Sequence, residues 1–179
     1  LYRDFKRELI QIYPHSFHYY QSSGKKRREG FDLLERKLAL LEAMGYLTES
    51  SLTSKGEFAA SLFGYELLLS EMHERHVLEE LDETSLAILL SGLIFEPRRG
   101  DRPPRLNRTH ERLFKTAEYH ASLIHRQESK FHILPFTKLP HFHLAQALEA
   151  WMRGEEFEKI LRLTTADEGE LVRYLRMVI

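Results

Sequence analysis

Between Phe31 and Met44 the apolar residues Phe31, Leu34, Leu38, Leu41 and Met44 recur every three or four positions, with Glu35, Arg36, Lys37 and Glu42 between them. That period gathers the apolar side chains into one stripe of a helix, and a stripe of this width must be buried against another element. The same period returns along most of the chain. It predicts a helix over 65–76 with Leu68, Leu69 and Met72 inward, and one after Asp82 carrying Leu86, Leu89, Leu90, Leu93 and Ile94 and ended by Pro97. A longer helix is expected from about Thr109 to Gln127, with Leu113, Ala117, Ala121 and Ile124 on its inner face. Pro135 and Pro140 forbid its continuation. Leu144, Ala147, Leu148, Trp151 and Met152 begin again and stop at Gly154, and Phe157, Ile160, Leu161 and Leu163 follow as a short helix. Trp151 shares the register of Leu144 and Leu148, so it reads as core and not as a base-stacking platform. Thr165 with Glu168 three residues on has the form of a capping box, and the last helix carries Leu171, Val172, Leu175 and Val178 inward. Amphipathic helices in series have no sheet to pack on, so the fold class is all-α, a multi-helix bundle.

One stretch departs from that period. In "MGYLTESSLTSKGEFA", residues 44–59, Gly45 can take the left-handed conformation that ends a helix, Tyr46 and Leu47 can extend, and Leu52 and Thr53 can return the chain. Thr53 or Ser54 can then cap a helix holding Phe58, Ala59 and Leu62 before Gly64 breaks it. One small β-hairpin near residues 46–53 is therefore expected. Helix, hairpin and helix is also how a winged-helix nucleic-acid-binding module writes its wing, so a wing and a connector inside a larger machine both fit.

Composition narrows the function. The chain of 179 residues is 42% hydrophobic and 11% aromatic, enough to bury about 70% of its unfolded surface in a core. No apolar run reaches the length a membrane helix needs. There is no cysteine, hence no disulfide, thiolate metal site or thiol nucleophile. A formal net charge of −1 rules out a protein coated with cations, so any surface for nucleic acid must be local. Local clusters exist: Lys25, Lys26, Arg27 and Arg28; then Arg98, Arg99, Arg102 and Arg105 in the loop "RRGDRPPRLN"; then Arg173 with Arg176. The chain begins at Leu1 and stops at Met177, Val178 and Ile179 inside an apolar helical pattern, as expected of a piece of a longer protein.

Neither GxxxxGK[ST] nor GxGxxG occurs, so no phosphate-cradling loop is present and this stretch is not expected to hydrolyse ATP. No GxSxG context supports a nucleophilic serine. His73 and His76 share a helical face, but they lack the spacing and internal glutamate of HExxH and read as a polar face, with no metal expected.

Taken as a set, "LLERKLALLEAMGYL", "LTSKGEFAASLFGYELLLSEM", "LDETSLAILLSGLIFEPR", "WMRGEEFEKILRLT" and "EGELVRYLR" resemble the C-terminal region of superkiller-type DExH-box RNA helicases, including the helical module called DSHCT. The order and spacing agree over residues 31–179 outside the variable middle 99–138. The resemblance implies a stalk-like or winged-helix-like connector over 1–54 and a DSHCT-type bundle over 55–179, with "MGYLTESSLTSKGEFA" connecting into that bundle. It also implies a function: ATP and Mg bound by motor domains elsewhere in the same chain, and a helical module that presses against the single-stranded RNA, or DNA, leaving the motor and so supports translocation and unwinding. Arg173 stands at the arginine of the family's motif, and Arg176 lies one turn on. His141 and His143 begin a helix that lines the same channel in the family, although relatives often carry acidic or amide groups there. A soluble, cytoplasmic protein is expected, with protein partners and no membrane. The reading from a different class is a protein-interaction scaffold docking a partner through "RRGDRPPR" and the later helices.

Overall fold

The computed structural model describes residues 8, 10–48, 51–62, 64–101 and 104–178, in two compact units. Arg102, the turn residues Glu49 and Ser50, and the terminal Leu1 and Ile179 lie outside the described residues.

The first unit comprises Leu1–Glu66 with Ile124–Phe136. A short 3-10 turn, Tyr13–His15, leads into helix α1 (Phe17–Gln21), capped by the Ser16 hydroxyl, which accepts from the Tyr19 amide. Helix α2 (Gly24–Ala43) is longer at its start than its apolar period alone indicates. Tyr13, Tyr19 and Phe31 meet edge to face, with Tyr13 and Phe31 4.7 Å apart between ring centres, and the Arg27 guanidinium lies 4.4 Å over Tyr19. Aromatic edges therefore hold α1 on α2 where aliphatic residues are few. Of the stripe expected from sequence, Leu38 is buried, joined by Leu40, while Phe31, Leu34, Leu41 and Met44 are half-buried.

Helix α2 ends as its glycine requires. Gly45, at φ 79°, donates to the Glu42 carbonyl, and Tyr46 donates to that of Leu41 at 2.8 Å. This pair of reversed bonds closes the orphan carbonyls of the last turn, and φ in the left-handed region favours a residue without a Cβ. Beyond it the chain turns, but the expected hairpin at 46–53 does not form as a sheet: among the described residues the pairing is a single antiparallel bridge, Leu47 to Leu52. Thr53 explains why. Its hydroxyl donates to the Gly45 carbonyl at 2.7 Å and accepts from the Gly56 amide, so it caps helix α3 (Ser54–Ser61) and draws the returning strand into a helix at once.

The second unit comprises Leu67–Leu123 with Thr137–Ile179. Helix α4 (Glu66–Glu74) begins beside Gly64 and stops before His76, which has φ 58°. Helix α5 (Glu83–Ile94) is capped by the Asp82 carboxylate, which accepts from the Ser85 amide, and is buried at Ala87, Ile88, Leu89, Ser91, Gly92 and Leu93. A helix apolar nearly all round belongs at the centre of a unit. Accordingly α7 (Ala145–Met152), the 3-10 turn Phe142–Leu144 and α9 (Glu168–Val178) all pack on α5, and α8 (Phe157–Leu161) packs on α7. Helix α6 (Arg108–Lys130) carries fully buried Ala117 and Ala121 on its inner face. Leu89, Leu93, Leu144, Leu148 and Leu171 are almost wholly enclosed, each contributing roughly 1.5–3 kcal/mol by leaving water. The all-α bundle read from the periodicity is thus the observed fold.

Two local expectations differ. The cap of α9 is Asp167, whose carboxylate accepts from the Glu170 amide at 2.8 Å, and not Thr165. A charged oxygen two residues closer to the first turn is the better acceptor for its free amides. Val172 is 41% exposed, and Tyr174 takes the inward place beside Leu171 and Leu175. Trp151 is half-buried.

Candidate nucleic-acid interface

The end of α5 sets the geometry. Phe95, in extended conformation just past the helix, is buried, and its ring lies between two others: His143 is stacked on it at 5.1 Å with a 23° tilt, and Tyr174 of α9 lies at 5.2 Å. Three segments distant in sequence are therefore pinned by one phenyl ring. The turn that brings His141 and His143 is fixed from below. The His141 amide donates to the Gly92 carbonyl at 2.6 Å, and Phe142 packs so closely on Gly92 that a Cβ there would sit 2.3 Å from its ring. Phe142 also meets Phe114 edge to face at 5.5 Å.

Charge collects around Phe95. Glu96 is exposed and ion-paired with Lys138, whose hydrogen bond and charge hold the carboxyl below its ordinary range, aided by Arg173 and His141. The Arg173 guanidinium lies 5.0 Å over the Tyr174 ring. Arg98 reaches across to α9, pairing with Glu170 at 2.9 Å and Asp167 at 3.2 Å. Glu170 is thus paired with Arg98. Arg173 and Arg176 are both exposed, neither lies within ion-pair distance of a carboxylate among the described residues, and both line a shallow open concavity with Gly169, Val172 and Met177. Of the four residues singled out from sequence, Arg173, His141 and His143 gather around Phe95 and Glu96, and Arg176 lies beside Arg173 on α9.

Sequence reasoning missed Glu96, Lys138, Phe95 and Tyr174. Glu96 and Lys138 lie in irregular segments beside prolines, where no period marks a face. Phe95 and Tyr174 fit their helices only as ordinary core residues.

The histidines carry little charge here. His141 and His143 are half-buried, and burial is the first cause holding each below the ordinary imidazole range. Glu96 pulls His141 back up and Lys138 pushes it down; His143 is lowered further by His141 and raised by Asp101. The enclosed Nδ1 of His143 has no hydrogen-bond partner among the described residues, which suits the neutral ring with its proton on Nε2. Both residues therefore contribute neutral rings to this surface, while its formal positive charge resides on the arginines and Lys138.

Two more histidines of this unit behave alike. His110, 1% exposed, has Nε2 3.2 Å from Glu149, and burial outweighs that carboxylate in lowering its pKa; His120 is lowered first by burial and then by Arg75, with Glu71 opposing. A group whose folded pKa lies below its unfolded value near 6.5 binds fewer protons when folded, so acid favours the unfolded chain. The four neutral imidazoles contribute their stability fully above about pH 6.5 and lose it as pH falls from there toward the folded values. Thermal melts between about pH 7.5 and 5.5 are expected to show Tm falling toward acid within that interval; a level profile would contradict the buried, neutral assignment.

The unit is an all-α helical module that carries an exposed pair of arginines on a well-packed helix. The chain matches the DSHCT (NUC185) domain model over residues 49–179, and it belongs to that family, the helical module of superkiller-type DExH-box helicases. It is also similar to mRNA transport homolog 4 of Caenorhabditis elegans, 26% identical over 153 residues, a match covering 80% of this chain. The matched part is 14% of that relative's length.

Proposed function

We propose that this chain is the strand-contacting helical module of an ATP-dependent RNA helicase, with Arg173 and Arg176 touching phosphates of single-stranded RNA and His141 and His143 adding hydrogen bonds beside them. The observation that carries this reading is the contrast on one surface: Arg98 and Lys138 are engaged by carboxylates, whereas the two arginines of α9 stand open over a shallow concavity. An exposed cation left without a carboxylate costs little to bring to a phosphate, because no ion pair must first be broken. ATP and Mg belong to motor domains in the same chain, which supply the stepping. No described helix is long and apolar enough to cross a membrane, and a cytoplasmic location is part of the proposal.

The test is the salt dependence of binding. Anisotropy of a fluorescent single-stranded RNA on the full-length protein is expected to give log affinity falling linearly with log salt, at about −0.7 per phosphate neutralised. Protein that binds neither RNA nor DNA strands even at low salt would point to a scaffold that docks protein partners.

A further inference from the structure

Helix α6 carries a second cationic surface that the site above does not use. Arg108, Arg112 and Lys115 follow one another at four- and three-residue spacing, and Tyr119 comes four residues later, so all four stand on one face of the helix. They line a broad open concavity of about 750 Å³ together with Thr116 and Glu111. Lys115 is bridged to Glu111 at 3.0 Å, while Arg108 and Arg112 have no carboxylate within ion-pair distance among the described residues. Tyr119 is 56% exposed, and its ring is steadied edge to face by buried His120 at 5.4 Å. The opposite face, with Leu113, Ala117 and Ala121 buried, holds the helix rigidly in its unit.

From this arrangement we infer that the outer face of α6 is a second contact for single-stranded RNA, with Arg108, Arg112 and Lys115 on consecutive phosphates and Tyr119 stacking on a base. It rests on the reading that this module meets the strand at all. Two features favour a nucleic-acid strand over an acidic peptide. No aliphatic side chain is among the described residues lining the concavity, whereas protein interfaces draw their affinity from apolar anchors in pockets. An exposed, braced aromatic ring next to a row of cations and hydroxyls is instead the combination that grips a single strand, through base stacking and phosphate contact. Residues three and four apart on a helix have Cβ atoms about 5–6 Å from one another, so one short stretch of backbone can engage these cations in turn.

The full-length protein tests this in five forms: unaltered, Arg108→Ala with Arg112→Ala, Tyr119→Ala, Tyr119→Phe, and Arg173→Ala with Arg176→Ala. All changes are at exposed positions, and unaltered melting temperatures verify the fold. Loss of Arg108 and Arg112 is expected to make the salt slope for single-stranded RNA shallower by about 1.4, two phosphates' worth. Tyr119→Ala is expected to weaken binding by about fivefold or more, and Tyr119→Phe to restore it. Ultraviolet cross-linking of an oligouridine should label Tyr119. If the α9 variant weakens binding while both α6 variants leave affinity and slope unchanged, the second contact is wrong and the first stands. If none of the variants alters binding, both are wrong. Polyglutamate that binds the unaltered protein more tightly than oligouridine, and loses its binding in the α6 variants, would assign this face to an acidic protein partner and overturn the inference.

Discussion

Reversing both charges on the last helix, Arg173→Glu with Arg176→Glu, is expected to lower the affinity of the full-length protein for single-stranded RNA by roughly tenfold or more at about 0.1 M salt. In the proposed interface each arginine makes an exposed charged contact of about 1 kcal/mol, two such contacts amount to more than a factor of ten, and the new carboxylates add repulsion from phosphate. The fold should be untouched, because both side chains lie in solvent on a helix held by Leu171, Tyr174 and Leu175 on its other side. Anisotropy at several salt concentrations, with ATPase activity measured alongside, separates the outcomes: the loss must shrink as salt rises and the Debye length contracts. Equal affinity for the unaltered and reversed proteins at low salt would remove Arg173 and Arg176 from the interface. Arg98 serves the site indirectly, tethering the first turn of α9 through Asp167 and Glu170, and it should not be confused with a strand contact.

The largest loss of stability is expected at Phe142. Its ring is 1% exposed, lies against Gly92 and meets Phe114, and it carries the turn that presents His141 and His143. Phe142→Ala removes the ring and leaves a cavity in a unit whose neighbours are already in contact, at about 3–5 kcal/mol. For a chain of this size that corresponds to a decline in Tm on the order of 10 °C. Gly92→Ala attacks the same contact from the other side. The added methyl meets the ring at 2.3 Å, so the turn must move, at about 1–3 kcal/mol, less the roughly 1 kcal/mol that alanine returns in helix propensity. Calorimetry of the two variants checks the order: Gly92→Ala melting lower than Phe142→Ala would mean that the turn cannot yield and that the backbone approach, not the ring's burial, dominates.

The helices were legible because burial imposes a period on local sequence. Leu113, Ala117, Ala121 and Ile124 could be assigned to an inner face before any coordinates, and all four are buried. The central place of α5 was legible in principle from its lack of a polar face. Reading Val172 as inward went wrong because the buried face is the one shared by Leu171, Tyr174 and Leu175, with the Tyr174 ring on Phe95, and Val172 points nearly opposite to Tyr174 on the helix. The hairpin failed for a similar reason: extended propensity at Tyr46 and Leu47 is local, but Thr53 bonds back to Gly45 and starts a helix where the second strand would run.

The arginines of the site were found through resemblance to a family, since a solvent-facing arginine leaves no mark in a hydrophobic period. Their surroundings were beyond any local reading: Phe95, Glu96, Lys138 and Tyr174 come from three separate stretches and meet only once α5, the 3-10 turn and α9 are packed. By itself the sequence determined where most helices form and which face of each is apolar, because those are properties of neighbours along the chain. Tertiary structure alone decided that Arg98 and Lys138 are paired while Arg173 and Arg176 stay open, because an ion pair depends on distance through space, and residues 96 and 138, or 98 and 170, have no distance until the chain is folded.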